Sequence, residues 1–150
     1  WMYCRKYKID LWKLARIFVP AMPLGHMMGR IGNFLNGELW GRETTSNIGM
    51  YFPADRSELL RHPSQLYEAV GEGLIVFLVL WSLRSKIKDG KTMLGLYFIL
   101  YSIARFIIEF FREPDAHLGL LWFQLSMGQL LSIAMLVAGF VLIAYAHKKK

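Results

Sequence analysis

The stretch Gly29-Arg30-Ile31-Gly32-Asn33-Phe34-Leu35-Asn36-Gly37-Glu38-Leu39-Trp40-Gly41 sets a cation, two amides, a carboxylate and four glycines inside an otherwise apolar chain. Core packing asks for no such mixture. Glycine lets backbone approach a ligand closely, and Arg and Asn side chains supply fixed donors for an anion. A second set lies in LGLYFILYSIARFIIEFFREPD, where Tyr101, Arg105, Glu109 and Arg112 fall four, four and three residues apart and so share one helix face. An arginine within an apolar helix must be paired or hydrated and marks a functional site by default. Glu109 is the nearest partner for Arg105, and a purely structural Arg105–Glu109 pair is the bland alternative. Arg112 alone suits an interfacial headgroup contact. Two cations from separate segments, Arg30 and Arg105, suit a phosphate.

The remaining polar residues divide by chemistry. His62, in Arg61-His62-Pro63-Ser64-Gln65, either titrates near neutrality or caps the helix that begins at Pro63. Gln65, Glu68 and Glu72 share a face, so the two carboxylates could pair with the motif's arginines or accept from its asparagines, in a structural capacity. His26 has no second His or Cys at ligand spacing, and no metal site is expected. The one cysteine, Cys4, excludes an internal disulfide. No P-loop, dinucleotide fingerprint or nucleophile elbow occurs, and no cofactor is expected.

The elements that must position these residues follow from composition. Hydrophobic residues make up 55% of the chain, mean hydropathy is +0.31, and only 19% of residues are charged. This is the profile of an all-α integral membrane protein, a single membrane domain over residues 1–150. The net charge of +7 is not a nucleic-acid face, because the basic residues sit in short clusters between apolar runs. Residues 1–16 form a basic, aromatic interfacial segment. Pro20, Pro23 and Gly25 then break the first span, and non-helical backbone at membrane depth implies a cavity. Residues 42–63 read as a polar loop or small subdomain, followed by three further spans near 64–83, 93–111 and 124–145. Small residues at Ser132, Ala134, Ala138 and Gly139 read as helix packing in the last.

With about four spans, twelve Lys/Arg fall on the side of the N-terminal block, the 84–91 turn and the tail, against Arg30, Arg42, Arg56, Arg61 and Arg112 on the other. That bias puts both termini in the cytoplasm, with the polar motif, the 42–63 loop and the 112–123 loop outside.

The chain resembles the prolipoprotein diacylglyceryl transferase family. GRIGNFLNGELWG fits its signature, and RHPSQLYE and YSIARFIIEFFREPD resemble two further recurrent segments. The resemblance implies transfer of a diacylglyceryl group from phosphatidylglycerol to the lipobox cysteine thiol of a preprolipoprotein, at the outer leaflet of the bacterial inner membrane. Arg30, Asn33, Asn36, Glu38 and Gly41 then belong to the signature site, Tyr101, Arg105, Glu109 and Arg112 to a second polar cluster, and His62 to the HPSQ segment. Arg30, Arg105 and His62 take the catalytic roles and the others bind substrate. The chain is expected to be a C-terminal portion of such an enzyme. A transporter or channel for a small anion, using the broken helix and the intramembrane arginines, is the alternative.

Overall fold

The computed structural model describes residues 1–113 and 125–148. A short helix α1 (Met2–Lys6) is followed by α2 (Leu11–Phe18), which starts where the Asp10 carboxylate accepts from the amides of Trp12 and Lys13. Pro20 and Pro23 then break the regular ladder as expected. Val19–Ala21 tightens into a 3₁₀ turn, and the chain re-enters an α-helix, α3 (Met22–Leu35).

Gly37 ends α3. Its φ of +67° lets its amide reach the Phe34 carbonyl at 3.0 Å while the Glu38 amide reaches that of Asn33, also at 3.0 Å. This paired closure needs the left-handed conformation that glycine adopts without strain. The signature stretch is therefore half helix and half the turn that stops it.

Residues 42–63 form an irregular polar loop, pinned by isolated antiparallel bridges of Gly41 to Arg112 and of Arg61 to Glu43 and Met50. No strand occurs among the described residues. The helix after Pro63 runs from Ser64 to Leu83, but its winding changes midway: α4 (Ser64–Glu68) passes through a π-helical stretch at Ala69–Ile75 into α5 (Val76–Leu83). Helix α6 (Gly90–Ile108) starts on Asp89, whose carboxylate accepts from the Thr92 amide and hydroxyl. Helix α7 (Met127–Lys148) starts on a reciprocal cap, with the Gln129 amide donating to the Ser126 hydroxyl and the Ser126 amide to the Gln129 side chain.

Three helices, Ser64–Leu83, Gly90–Ile108 and Met127–Lys148, are long and apolar enough to cross a membrane. Of the four expected spans these are three; the expected first, divided at its prolines, is not among the helices of that length in the described residues. The protein is an all-helical integral membrane protein, and large apolar side chains such as Leu78, Ile107 and Phe140 stand exposed on its outer faces. The expected 112–123 loop lies mostly outside the described residues.

Close backbone approach sets the helix positions. A Cβ on Gly95 would lie 2.7 Å from the Gly139 carbonyl, and one on Gly139 would lie 2.8 Å from that of Gly95, so α6 and α7 cross glycine to glycine. Val19, Val76, Leu80 and Met93 form the buried apolar core beneath the polar site.

Candidate functional site

Three helices contribute to one polar cluster. Helix α3 supplies His26 and Arg30, four residues apart on one face. The 64–83 helix supplies Glu68 and Glu72, both fully buried, from the end of α4 and from the π-helical stretch. Helix α6 and its end supply Tyr101, Arg105, Glu109 and Arg112.

Glu68 is the hub. Its Oε2 lies 2.8 Å from Arg30 Nε, while its Oε1 lies 3.1 Å from Arg105 Nη1 and 3.2 Å from Arg112 Nη1. Arg105 also meets Glu109 Oε2 at 2.9 Å and Glu72 Oε1 at 3.5 Å. Glu72 Oε2 lies 2.8 Å from His26 Nε2, and the His26 ring stands edge-on to Tyr101 at 5.5 Å. His26 Nε2 is also 3.4 Å from Arg30 Nε. One ring nitrogen cannot donate to a carboxylate and accept from a guanidinium together. A ring nitrogen 2.8 Å from the buried Glu72 carboxylate is the protonated one, and Arg30 Nε is left facing the Glu68 carboxylate at 2.8 Å.

Three guanidinium groups thus face three carboxylates, each carboxylate almost wholly withdrawn from solvent. Formal charges cancel with His26 neutral. Burying that many ions is tolerable because each faces an opposite charge, and Glu68 and Arg105 face several; removing one partner of a buried pair typically costs about 3–5 kcal/mol.

Two local devices produce this convergence. A Cβ on Gly73 would lie 2.5 Å from Met27 Cβ, so the glycine admits α3 against the 64–83 helix. The π-helical stretch at 69–75 widens the winding around Glu72, a departure that recurs at functional sites.

The signature turn is fixed from the other side. The Gln65 amide donates to the Glu38 carbonyl at 2.6 Å, and the Ser64 hydroxyl donates to that of Leu39 at 3.3 Å. Gly41 is buried between the Phe111 and His62 carbonyls, and a Cβ there would lie 2.8 Å from the latter. Its amide donates to the His62 carbonyl at 2.8 Å, and Arg42 Nε donates to that of Arg112. The last glycine of the motif is thereby a close-packing position.

Of the residues singled out from sequence, Arg30, Tyr101, Arg105, Glu109 and Arg112 come together. The Arg105–Glu109 pair is present, as one of several. Asn33 lies near Arg30 on α3, half-buried and without a side-chain hydrogen bond among the described residues. Asn36 and Glu38 are exposed and face each other at 3.4 Å, apart from the cluster. His62 Nδ1 faces the Tyr67 hydroxyl at 3.1 Å, with its ring packed on Phe111; neither Arg30 nor Arg105 touches it. Glu68 and Glu72 prove central, and their shared helix face was the signal for it. His26 is the residue that metal-ligand spacing overlooks; its four-residue offset from Arg30 is what reveals it.

The prolipoprotein diacylglyceryl transferase family matches residues 1–145. The chain belongs to that family. It is 50% identical over 149 residues to the phosphatidylglycerol–prolipoprotein diacylglyceryl transferase of Chlorobaculum tepidum, covering 99% of this chain and 52% of that protein. The proteins of the same name from Campylobacter curvus and Idiomarina loihiensis are 49% and 46% identical, each over 99% of this chain and over 53% and 56% of their own lengths. The chain therefore spans about half the length of these relatives. All of the polar cluster lies within the matched part.

Proposed function

We propose that the protein transfers a diacylglyceryl group from phosphatidylglycerol to the lipobox cysteine thiol of a preprolipoprotein, at the outer face of the bacterial inner membrane with its C-terminus in the cytoplasm. The observation that carries this reading is the convergence of Arg30, Arg105 and Arg112 on Glu68 in an apolar chain about half identical to relatives named for that transfer. The bias of lysine and arginine toward the termini and the 84–91 turn supports the orientation.

The chemistry accords with the site. A thiolate attacks the glycerol carbon that bears the phosphate ester, a C–S bond forms, and the C–O bond breaks with its electron pair leaving on the phosphate of glycerol phosphate. That leaving group needs charge stabilisation, which fixed guanidinium groups provide best where water is excluded. Arg30 and Arg105 take that role by exchanging one carboxylate contact for a phosphate oxygen. Arg112 and Tyr101 border the same space, Glu109 holds Arg105, and Asn33 offers an unused amide beside Arg30. Asn36, Glu38 and Gly41 shape the turn through which the lipid headgroup or the peptide approaches. His62 adjoins that turn through Gly41 and is one candidate for the base. The anion-transport reading gains nothing from relatives that carry a transferase's name.

The test is mass spectrometry of a synthetic lipobox peptide incubated with phosphatidylglycerol vesicles holding the gene's full-length product. A mass increase of one diacylglyceryl group on the cysteine is expected. An unmodified peptide together with anion flux across the vesicles would overturn the reading.

A further inference from the structure

We propose that the cavity between the start of α2, the 84–91 turn and the end of α7 binds the phosphate of an anionic diacylphospholipid, in the leaflet opposite the one that the Glu68–Arg105 cluster faces. The inference needs only that the chain spans a membrane and stands apart from the transferase reading.

The sequence concentrates positive charge at this end of the helices. Asp10 and Asp89 are the only carboxylates of residues 1–16 and 84–92, against nine lysines and arginines. Both carboxylates cap helices. Asp10 Oδ1 accepts from the amides of Trp12 at 2.8 Å and Lys13 at 3.3 Å, and Asp89 Oδ2 accepts from the amide and hydroxyl of Thr92 at 2.8 and 2.9 Å. The helix amides are thereby taken, and the cations that remain for an anion are lysines. None of Lys13, Lys86 and Lys88 forms an ion pair among the described residues.

Packing gathers these lysines around one space. Gly90 lets the start of α6 sit on the Trp12 carbonyl, where a Cβ would collide. The cavity that results holds about 550 Å³, with Asp10, Lys13, Lys86, Lys88, Thr92 and His147 in its lining. Aromatic rings stand around it: the Lys91 ammonium lies 5.3 Å from the Trp12 ring centre and 4.7 Å from that of Tyr145, and Arg84 lies 3.9 Å from that of Trp81. Trp and Tyr beside Lys and Arg mark the headgroup level of a bilayer. Ile17 and Phe18, exposed at the far end of α2, offer apolar surface for acyl chains.

Helix α6 separates this cavity from the polar cluster. From Gly90 to Arg105 it rises about 22 Å at about 1.5 Å per residue, most of a hydrocarbon core of about 30 Å. A phosphate held by Lys86 and Lys88 is therefore a different phosphate from the one assigned to Arg30 and Arg105. Charge complementarity selects the occupant. Basic pockets at the ends of membrane helices suit anionic headgroups, whereas a zwitterionic headgroup brings its own cation against the lysines.

The test is tryptophan fluorescence of the gene's full-length product in phosphatidylcholine vesicles. These carry rising fractions of phosphatidylglycerol or phosphatidylcholine brominated high on the acyl chains, since bromine quenches only a ring close to it. The Trp12 share is the difference between wild type and Trp12→Phe. Brominated phosphatidylglycerol is expected to quench that share at a fraction at least about fivefold lower than brominated phosphatidylcholine, the factor that one lysine near an anionic surface contributes. The triple variant Lys13→Gln, Lys86→Gln, Lys88→Gln should lose this preference while brominated phosphatidylcholine still quenches it as in wild type, which shows that the variant is inserted. Native mass spectrometry supplies a second measure, with wild type retaining one more phosphatidylglycerol than the triple variant. Equal quenching by the two lipids in wild type, a preference that survives in the triple variant, or equal lipid retention overturns the proposal. So does a preference abolished by excess soluble glycerol phosphate, which would make the occupant a soluble anion. No readout here uses lipid transfer: an active transferase without the preference sinks only this site, and an inactive chain that keeps it sinks only the transferase reading.

Discussion

Glu68 and Arg105 sit 3.1 Å apart, joining the 64–83 helix to α6 at the level where α3 delivers Arg30 to the other oxygen of the same carboxylate. One glutamate therefore joins three arginines, and losing its charge removes the carboxylate they share. Glu68→Gln is expected to abolish lipidation and to cost about 3–5 kcal/mol of stability, the usual penalty for breaking a buried pair. Thermal unfolding in detergent and the peptide assay report the two effects. Full activity with unchanged unfolding would show that the arginines are held by something else.

Gly73 tests how the helices bring that glutamate into reach. A side chain there meets Met27 Cβ at 2.5 Å and Met27 Cα at 3.0 Å, backbone as well as side chain, so the two helices must separate. Gly73→Leu is expected to pull His26 and Arg30 away from Glu72 and Glu68 together. Cysteine pairs placed across the α3 interface would then cross-link more slowly, and lipidation would fall by at least about tenfold, the factor that 1.4 kcal/mol of lost transition-state stabilisation represents. Gly29→Ala is the comparison, since a Cβ there meets nothing within 4 Å.

Much of this site is legible in the sequence, for a local reason. Tyr101, Arg105, Glu109 and Arg112 are related by helix periodicity alone. The pairing of Glu68 with Arg30 depends instead on how α3 packs, which is settled by Gly73 against Met27, far apart in the chain, and no local pattern encodes it. The same holds for the π-helical stretch at 69–75, whose residues carry no local signal of a wider winding. The place of His26 in the cluster goes unseen because its partner, Glu72, comes from that distant stretch. Charge balance is a property of the packed helices.

The 42–63 loop has its own electrostatic clamp. The Ser57 hydroxyl and amide donate to Asp55 at 2.7 and 3.0 Å, and Arg61 pairs with the same carboxylate, while Arg61 also reaches Glu113 at 3.4 Å. The Ser57 bonds first, and Arg61 after them, hold the Asp55 carboxyl below its ordinary value of 3.8. A folded-state value below the unfolded one means that the contribution is complete above about pH 4 and is lost as pH falls through the lowered value. Exchange protection of the Ser57 amide is therefore expected to persist at pH 4 and to disappear under stronger acid. Asp55→Asn should lack that protection at every pH. Protection that is insensitive to both would exclude the clamp.

The central claim is that Arg30 and Arg105 stabilise the departing phosphate. It is tested most directly by measuring diacylglyceryl transfer to a lipobox peptide for Arg30→Ala and Arg105→Ala in the gene's full-length product, with membrane levels and monodispersity matched to wild type. Removing one preorganised donor to a developing charge costs about 10²–10³-fold, so each variant should lose at least that much transfer. Near-normal transfer by either folded variant would contradict the account.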